Sequence, residues 1–398
     1  MLKINFSDRM GELQSSSIRE ILKMPQTPDS VSFSAGNPSP LTFPHEDMAK
    51  IAAEIFQNDY VTALQYGITE GYEPLRAAIS QRMSSKYGIG SDLDDVIVTS
   101  GGQQVIDLAI KVLVNENDTI LCESPSFIGA LNAFRSYNAR LVGIPVDKDG
   151  MDIDSLEKAL RTEPNVRLIY TIPTFHNPCG CTMSLDRRKR ILELAKKYGV
   201  FILEDSPYFE LRYSGEDLPT LKSMDTEGYV IFAGSFSKVI APGIRVGFVC
   251  AHRDIVSKMT VAKQVIDVHT NLFFQILVDR YLRLGVIDGH IEKCRALYMQ
   301  KRDRMLAAMD RHMAGSAAWN VPDGGLFIWA ELPEGYDGLE LCRRLKDRNI
   351  SCVPGNTFCV DQKQVSRGFR LNFSLPSDEQ IDRGIAVIGQ VLSEYIRS

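Results

Sequence analysis

The chain has 398 residues, enough for two domains and a sizeable core, and its 44% hydrophobic content is ordinary for a globular protein in water. A formal net charge of -5 and the lack of a basic arm give no footing for nucleic acid or an acidic membrane surface. No apolar run reaches the roughly 20 residues needed to cross a bilayer, and the first residues lack the apolar core of a signal peptide, so a cytoplasmic location is expected.

From the amino end, Ser15 to Leu22 reads as an amphipathic helix that begins at a serine cap and carries Arg19. Val96-Ile97-Val98-Thr99, followed by Ser100-Gly101-Gly102-Gln103-Gln104, predicts a strand, a glycine turn and a helix from Gln103 to Val114. That helix is apolar almost all round except for Asp107 and Lys111, so its start should be buried under a ligand. Free N–H groups at a helix N-terminus bind phosphate, and small glycines let the anion come close, although a Gly-Gly turn by itself is only a turn. Further strand-like runs lie near Thr119 and from Val166 to Ile172; the second leads into His176-Asn177-Pro178-Cys179-Gly180, an Asn-Pro-x-Gly turn in which His176 reads as a loop residue.

A helical period from Ser184 to Tyr198 precedes the run Val200 to Leu203, which ends in Glu204-Asp205-Ser206-Pro207-Tyr208 and so brings acids to a strand end. Tyr229 to Ala233 reads as another buried strand, and a strand-like run lies near Ile244. Charged helix formers dominate from Ile287 to Gly315. Phe369-Arg370-Leu371-Asn372-Phe373 alternates like a strand, in which Arg370 alone would be just its cationic member. Strands alternating with helices predict an α/β fold with a mainly parallel sheet covered on both faces. The eight cysteines show no CxxC pair and suggest neither a zinc site nor a disulfide framework; Cys179 and Cys181 read as spectators.

The most informative stretch follows the strand at 229–233: Gly234-Ser235-Phe236-Ser237-Lys238, with Arg245 seven residues after the lysine. Taken alone, Lys238 would be a solvated surface lysine. At the carboxyl end of a strand, where open α/β sheets place ligands, its amine can form an imine with an aldehyde. The hydroxyls of Ser235 and Ser237 and the guanidinium of Arg245 suit a phosphate. Aldehyde plus phosphate points to pyridoxal phosphate. Asp205 then fits beneath the pyridine nitrogen, where a carboxylate keeps the ring protonated and able to accept electrons, while Tyr208 and Asn177 can donate to the ring's phenolate oxygen.

With Asn-Pro-x-Gly, Asp-x-x-Tyr, Ser-x-Ser-Lys with its later Arg245, and the late Arg370 in this order, the chain resembles the class I/II aminotransferases of the aspartate aminotransferase fold. The resemblance is nearest to the branch of 2-aminoadipate, kynurenine and broad-specificity aromatic or branched-chain enzymes. It implies a seven-stranded, mainly parallel sheet between helices, a large cofactor domain at 45–285, and a smaller α/β domain built from 1–44 and 286–398. It implies Lys238 as the Schiff-base lysine and proton carrier, Asp205 at the pyridine nitrogen, and Asn177 and Tyr208 at the phenolate. Gly102, Gln103, Ser235, Ser237 and Arg245 would form the phosphate cup, and Phe127 would stack on the ring. Tyr66 would reach the phosphate of a neighbouring subunit, so the resemblance implies a homodimer with shared active sites. Arg370 and Gly36, with Asn177, would hold the substrate α-carboxylate. Arg19 would sit on a helix that closes over acidic side chains.

Two departures stand out: Gly102 occupies a place where relatives often carry a hydroxyl, and Phe127 one where many carry Tyr, which preserves stacking. The implied activity is transfer of an amino group between an α-amino acid and a 2-oxo acid in two half-reactions. Within the same fold a β-lyase or a decarboxylase is the alternative, and from another class a cofactor-binding regulatory module fused to a DNA-binding domain.

Overall fold

The computed structural model describes residues 29–397, with positions 4, 5, 7 and 10 ahead of them. The expected Arg19 lies outside the described residues. Among the described residues fourteen strands run in chain order: β1 Val31–Ser32, β2 Asp94–Thr99, β3 Thr119–Ser124, β4 Arg140–Asp147, β5 Gly150–Met151, β6 Val166–Thr171 and β7 Phe201–Asp205, then β8 Val230–Ser235, β9 Gly247–His252, β10 Ala318–Trp319, β11 Phe327–Glu331, β12 Ile350–Ser351, β13 Val353–Pro354 and β14 Gly368–Asn372.

The main sheet has the order β2-β9-β8-β7-β6-β3-β4-β5. From β8 to β4 every pairing is parallel, as expected of strands that read as continuous apolar runs. Two features refine the expectation of seven strands. The Asp147–Gly150 turn folds the chain back on β4, and the two-residue β5 adds an eighth strand at that edge. The run near Ile244 also begins later than its pattern suggested, because Pro242–Ile244 forms a 3-10 turn and β9 starts only at Gly247.

β9 is antiparallel to both of its neighbours, so its first residue lies at the same edge as the carboxyl ends of β2 and β8: Gly247 pairs with Thr99 on one side and with Ser235 on the other. Residues just before β9 therefore join those just after β2, β3, β6, β7 and β8. This topology is what brings Arg245 to the same edge as Gly102, Asn177, Asp205 and Lys238.

Each face of the sheet is covered by helices whose apolar stripes meet it. The helices Gly102–Leu113, Ile128–Ser136 and Arg253–Ile266 close one face around Ile106, Leu108, Phe134 and Met259. Ile153–Thr162 and Leu185–Tyr198 close the other around Leu156, Ile191 and Leu194. The second of these starts at Ser184, whose hydroxyl accepts from the Arg187 N–H, and stops at Gly199 in the left-handed conformation. A long helix, Ile287–His312, leads to a four-stranded antiparallel sheet of order β10-β11-β14-β13. There β1 pairs in parallel with β12, and the Asn372 N–H donates to Phe33 O, which ties the early chain to the late one.

Candidate active site

A cavity of about 320 Å³ opens at this edge of the sheet. It is lined by Gly36, Gly102, Gln103, Phe127, Asn177, Asp205, Tyr208, Ser235, Ser237, Lys238, Arg245 and Arg370, all of them singled out in the sequence. Asn37, Ile106, Ile172, Pro207 and Pro242 complete the wall and were not foreseen. Tyr66 does not reach it. That ring is 80% exposed and packs edge-on to His269, with centroids 5.9 Å apart.

The Lys238 amine donates to the carbonyl of Gly36 at 2.7 Å and lies 5.9 Å from the centre of the Tyr208 ring. Burial, with the nearby cations Arg370 and Arg245, pulls its pKa from an ordinary 10.5 down to about 8, against the opposing pull of Asp205. A share of this amine is therefore neutral near physiological pH, as a nucleophile or base requires.

Asp205 and its neighbour Glu204 part company at the end of β7, because successive side chains in a strand point to opposite faces. Glu204 turns away from the cavity and accepts the N–H groups of Leu221 and Lys222, at 3.0 and 2.8 Å, at the start of a short helix. Asp205 faces the cavity. Burial, and to a lesser degree Glu123, raises its pKa to about 7, while a hydrogen bond from Tyr170 and the charge of Lys238 favour its ionised form. Burial likewise raises the Tyr208 phenol above its ordinary range.

Arg370, on β14, is 2% exposed. Its Nη1 donates to Asn177 Oδ1 at 2.7 Å and its Nη2 to Ser34 O at 2.6 Å, while Nε has no partner. The guanidinium lies 4.2 Å from the centre of the Phe327 ring and 5.0 Å from that of Phe358, and burial pulls its pKa down to about 10. A buried guanidinium with an unused N–H is costly unless an anion completes it.

At the other end of the cavity, Gly101 takes φ +80° and leads into the helix that starts at Gly102. A Cβ on Gly101 would stand 2.3 Å from Arg245 Nη2, so only glycine lets this turn close over the arginine. A Cβ on Gly102 would come no nearer than 3.9 Å to Asp205 Oδ1 and to Ser235, so there is room beside the helix start where it lines the cavity. Arg245 holds the left-handed conformation at φ 52° and donates to Ser100 O at 3.1 Å, and the Ser235 and Ser237 hydroxyls bond one another at 2.9 Å. A helix start, two hydroxyls and an exposed guanidinium gather here as donors of the kind that suit a phosphate, with a carboxylate and an amine on the same cavity. The donor set fits pyridoxal phosphate.

Two groups behind the wall were missed by sequence reasoning. Tyr170 donates to Asp205 Oδ2 at 2.8 Å. Glu123, 1% exposed, accepts from Thr171 Oγ1 at 2.7 Å and from the Ile172 N–H at 2.9 Å, and stands 3.0 Å from His176 Nε2. His176 is thus a buried partner of Glu123 within its turn.

The profile of the family described as Aminotransferase class I and II matches residues 28–388. The chain belongs to the class I and II aminotransferases. Among relatives of this aminotransferase, the aromatic-amino-acid aminotransferase 1 of Thermococcus litoralis is 40% identical over 98% of this chain and 95% of its own length. The 2-aminoadipate transaminase of Thermus thermophilus is 38% identical over 97% of this chain and 96% of its own. Among solved structures, a Pyrococcus horikoshii kynurenine aminotransferase in complex with PMP, KYN and KYA superposes with a TM-score of 0.95, at 39% identity over 99% of this chain and 98% of that one. As its family does, this aminotransferase uses pyridoxal phosphate to move an amino group between an amino acid and a 2-oxo acid. Among the described residues, no helix is long and apolar enough to cross a membrane.

Proposed function

We propose that Lys238 carries the cofactor and shuttles the substrate Cα proton, that Asp205 partners the pyridine nitrogen, and that Arg370 clamps the substrate α-carboxylate. The carrying observation is the convergence, on one cavity, of an amine of lowered basicity, a buried carboxylate and a buried guanidinium with a spare N–H. Pyridoxal phosphate, when bound, supplies a carbonyl for the amino group and a ring that accepts the electron pair released at Cα.

The residues of the chain do the rest. Arg370 presents a planar fork to two carboxylate oxygens, with Asn177 fixing that fork through Nη1. Gly36 lines the same region with no side chain; a Cβ there would come within 3.1 Å of the Phe327 ring. Gly102, Gln103, Ser235, Ser237 and Arg245 would hold the phosphate end, and Phe127, which lines the same cavity, would lie against the ring. Asn177 and Tyr208 act at the phenolate oxygen. Lys238 would take the proton from the substrate Cα on its Nζ and hold it there for return.

Substrates in this reading include both aromatic and acidic amino acids, since relatives named for each are about equally similar to the chain. Arg19 would meet the acidic side chain. The proposed assembly is a homodimer in which Tyr66 completes the partner's phosphate site, each protomer having a cofactor domain at 45–285 and a smaller domain from 1–44 and 286–398. All eight cysteines are free thiols, which supports a reducing, cytoplasmic setting. Borohydride reduction followed by peptide mapping tests the central assignment. The cofactor is expected on Lys238, and recovery on another lysine would overturn it.

A further inference from the structure

We infer that Tyr170 is a positioning residue for this reaction: its hydroxyl fixes one oxygen of Asp205 so that the other faces the cavity as a charged acceptor. The inference rests on the reading that Asp205 partners the pyridine nitrogen. It goes further in giving that carboxylate an orientation and a source.

The geometry begins with strand register. Tyr170 on β6 pairs with Leu203 on β7, and both side chains join the same core face of the sheet. Asp205, two residues beyond Leu203, lies on that face as the diagonal neighbour of Tyr170. The phenol is long enough to span the diagonal and donates to Asp205 Oδ2 at 2.8 Å. Asp205 Oδ1 is left facing the start of the helix at Gly102, 3.9 Å from where a Cβ on that glycine would stand. Tyr170 is fully buried and its ring packs edge-on against Phe134, with centroids 5.3 Å apart, so the hydroxyl has little freedom to turn elsewhere.

The groups facing Asp205 are Tyr170 on β6, Glu123 on β3, Tyr208 beyond β7 and Lys238 beyond β8. Burial and Glu123 favour its protonated form, whereas the Tyr170 O–H and Lys238 favour the charged one. An O–H donated to a carboxylate is worth more than one donated to a neutral carboxyl. Loss of the phenol oxygen therefore disfavours the ionised state selectively. A general packing defect would act at every pH alike.

Tyr170→Phe keeps the ring and removes the donor. Because the folded-state pKa of Asp205 is raised, the stability linked to its protonation is present at low pH and is lost as pH rises through about 7. Removing the donor raises that pKa further and deepens the loss on the alkaline side. The full chain, stripped of cofactor, is melted at about pH 5.5 and about pH 8.5. Relative to wild type, the Tyr170→Phe deficit in Tm should be larger at the higher pH, and the difference should vanish when the substitution is made in an Asp205→Asn background.

In the holoenzyme, kcat should fall about tenfold or more with KM for the amino donor little changed. A Tm deficit equal at both pH values, or one that persists unchanged beside Asp205→Asn, would show Tyr170 to be a packing residue only. The half-reaction rate of Asp205→Asn separates this from failure of the underlying reading. A near-normal rate removes both, whereas a rate slowed by orders of magnitude beside a pH-independent Tyr170→Phe deficit removes only the role of Tyr170.

Discussion

At the scale of single residues, the site separates groups by what surrounds them. Lys238 and Asp205 carry opposite charges, and burial pulls both pKa values toward neutrality, to about 8 and about 7. Lys238→Ala should abolish turnover while the chain still folds and holds pyridoxal phosphate non-covalently, because the phosphate cradle and Asp205 remain. Single-turnover spectra and a cofactor titration check this, and substantial turnover in the variant would remove Lys238 from the chemistry. In the cofactor-free chain the amine should become reactive as pH rises through about 8. The rate of pyridoxal phosphate incorporation against pH reads this directly, and a midpoint near the ordinary 10.5 would contradict the buried, cation-flanked environment. Asp205→Asn should slow the proton-transfer half-reaction by orders of magnitude while weakening cofactor binding less, since an amide cannot hold the pyridine nitrogen protonated. Near-normal half-reaction rates would show that another group does so.

At the scale of elements, the strand ends carried the legible part of the site. Apolar runs near Val96, Val166, Val200 and Tyr229 each led into a short polar segment, and each segment lines or adjoins the cavity. Local pattern suffices there because a buried strand and its terminal turn are written in consecutive residues. The Tyr170–Asp205 and Glu123–His176 contacts were not legible, because they depend on how β3, β6 and β7 are registered against one another, which no single segment encodes. The eighth strand was missed because β5 is only two residues long, too short for a period to show. Arg245 belongs to both categories: its residue type was readable, but its approach to Gly101 follows from β9 running antiparallel. Gly101→Ala should therefore strain the φ +80° turn and push Arg245 aside, at a cost of about 1–2 kcal/mol. The measurement is the cofactor dissociation constant, expected to rise about tenfold. An unchanged constant would mean that Arg245 does not need this approach to bind phosphate.

At the scale of the whole molecule, one protomer leaves a run of apolar side chains in water: Phe56, Tyr60, Val61, Leu64, Tyr66 and Ile68 are each more than half exposed. Monomeric proteins rarely present so many large apolar groups together, and Tyr66 lies among them, away from the cavity of its own chain. The proposed dimer accounts for both facts if this surface packs on a second copy and delivers Tyr66 to the partner's phosphate site. A symmetric dimer with shared sites makes a distinctive prediction. Lys238→Ala and Tyr66→Ala protomers each form impaired homodimers, yet a hybrid of the two contains one site with both defects and one with neither. Unfolding and refolding an equal mixture should therefore restore activity to about a quarter of wild type, half of the dimers being hybrids with one intact site each. Sedimentation should show dimers throughout. If mixing gives no more activity than the average of the two parents, Tyr66 serves its own protomer or none, and the shared site is excluded whatever the sedimentation shows.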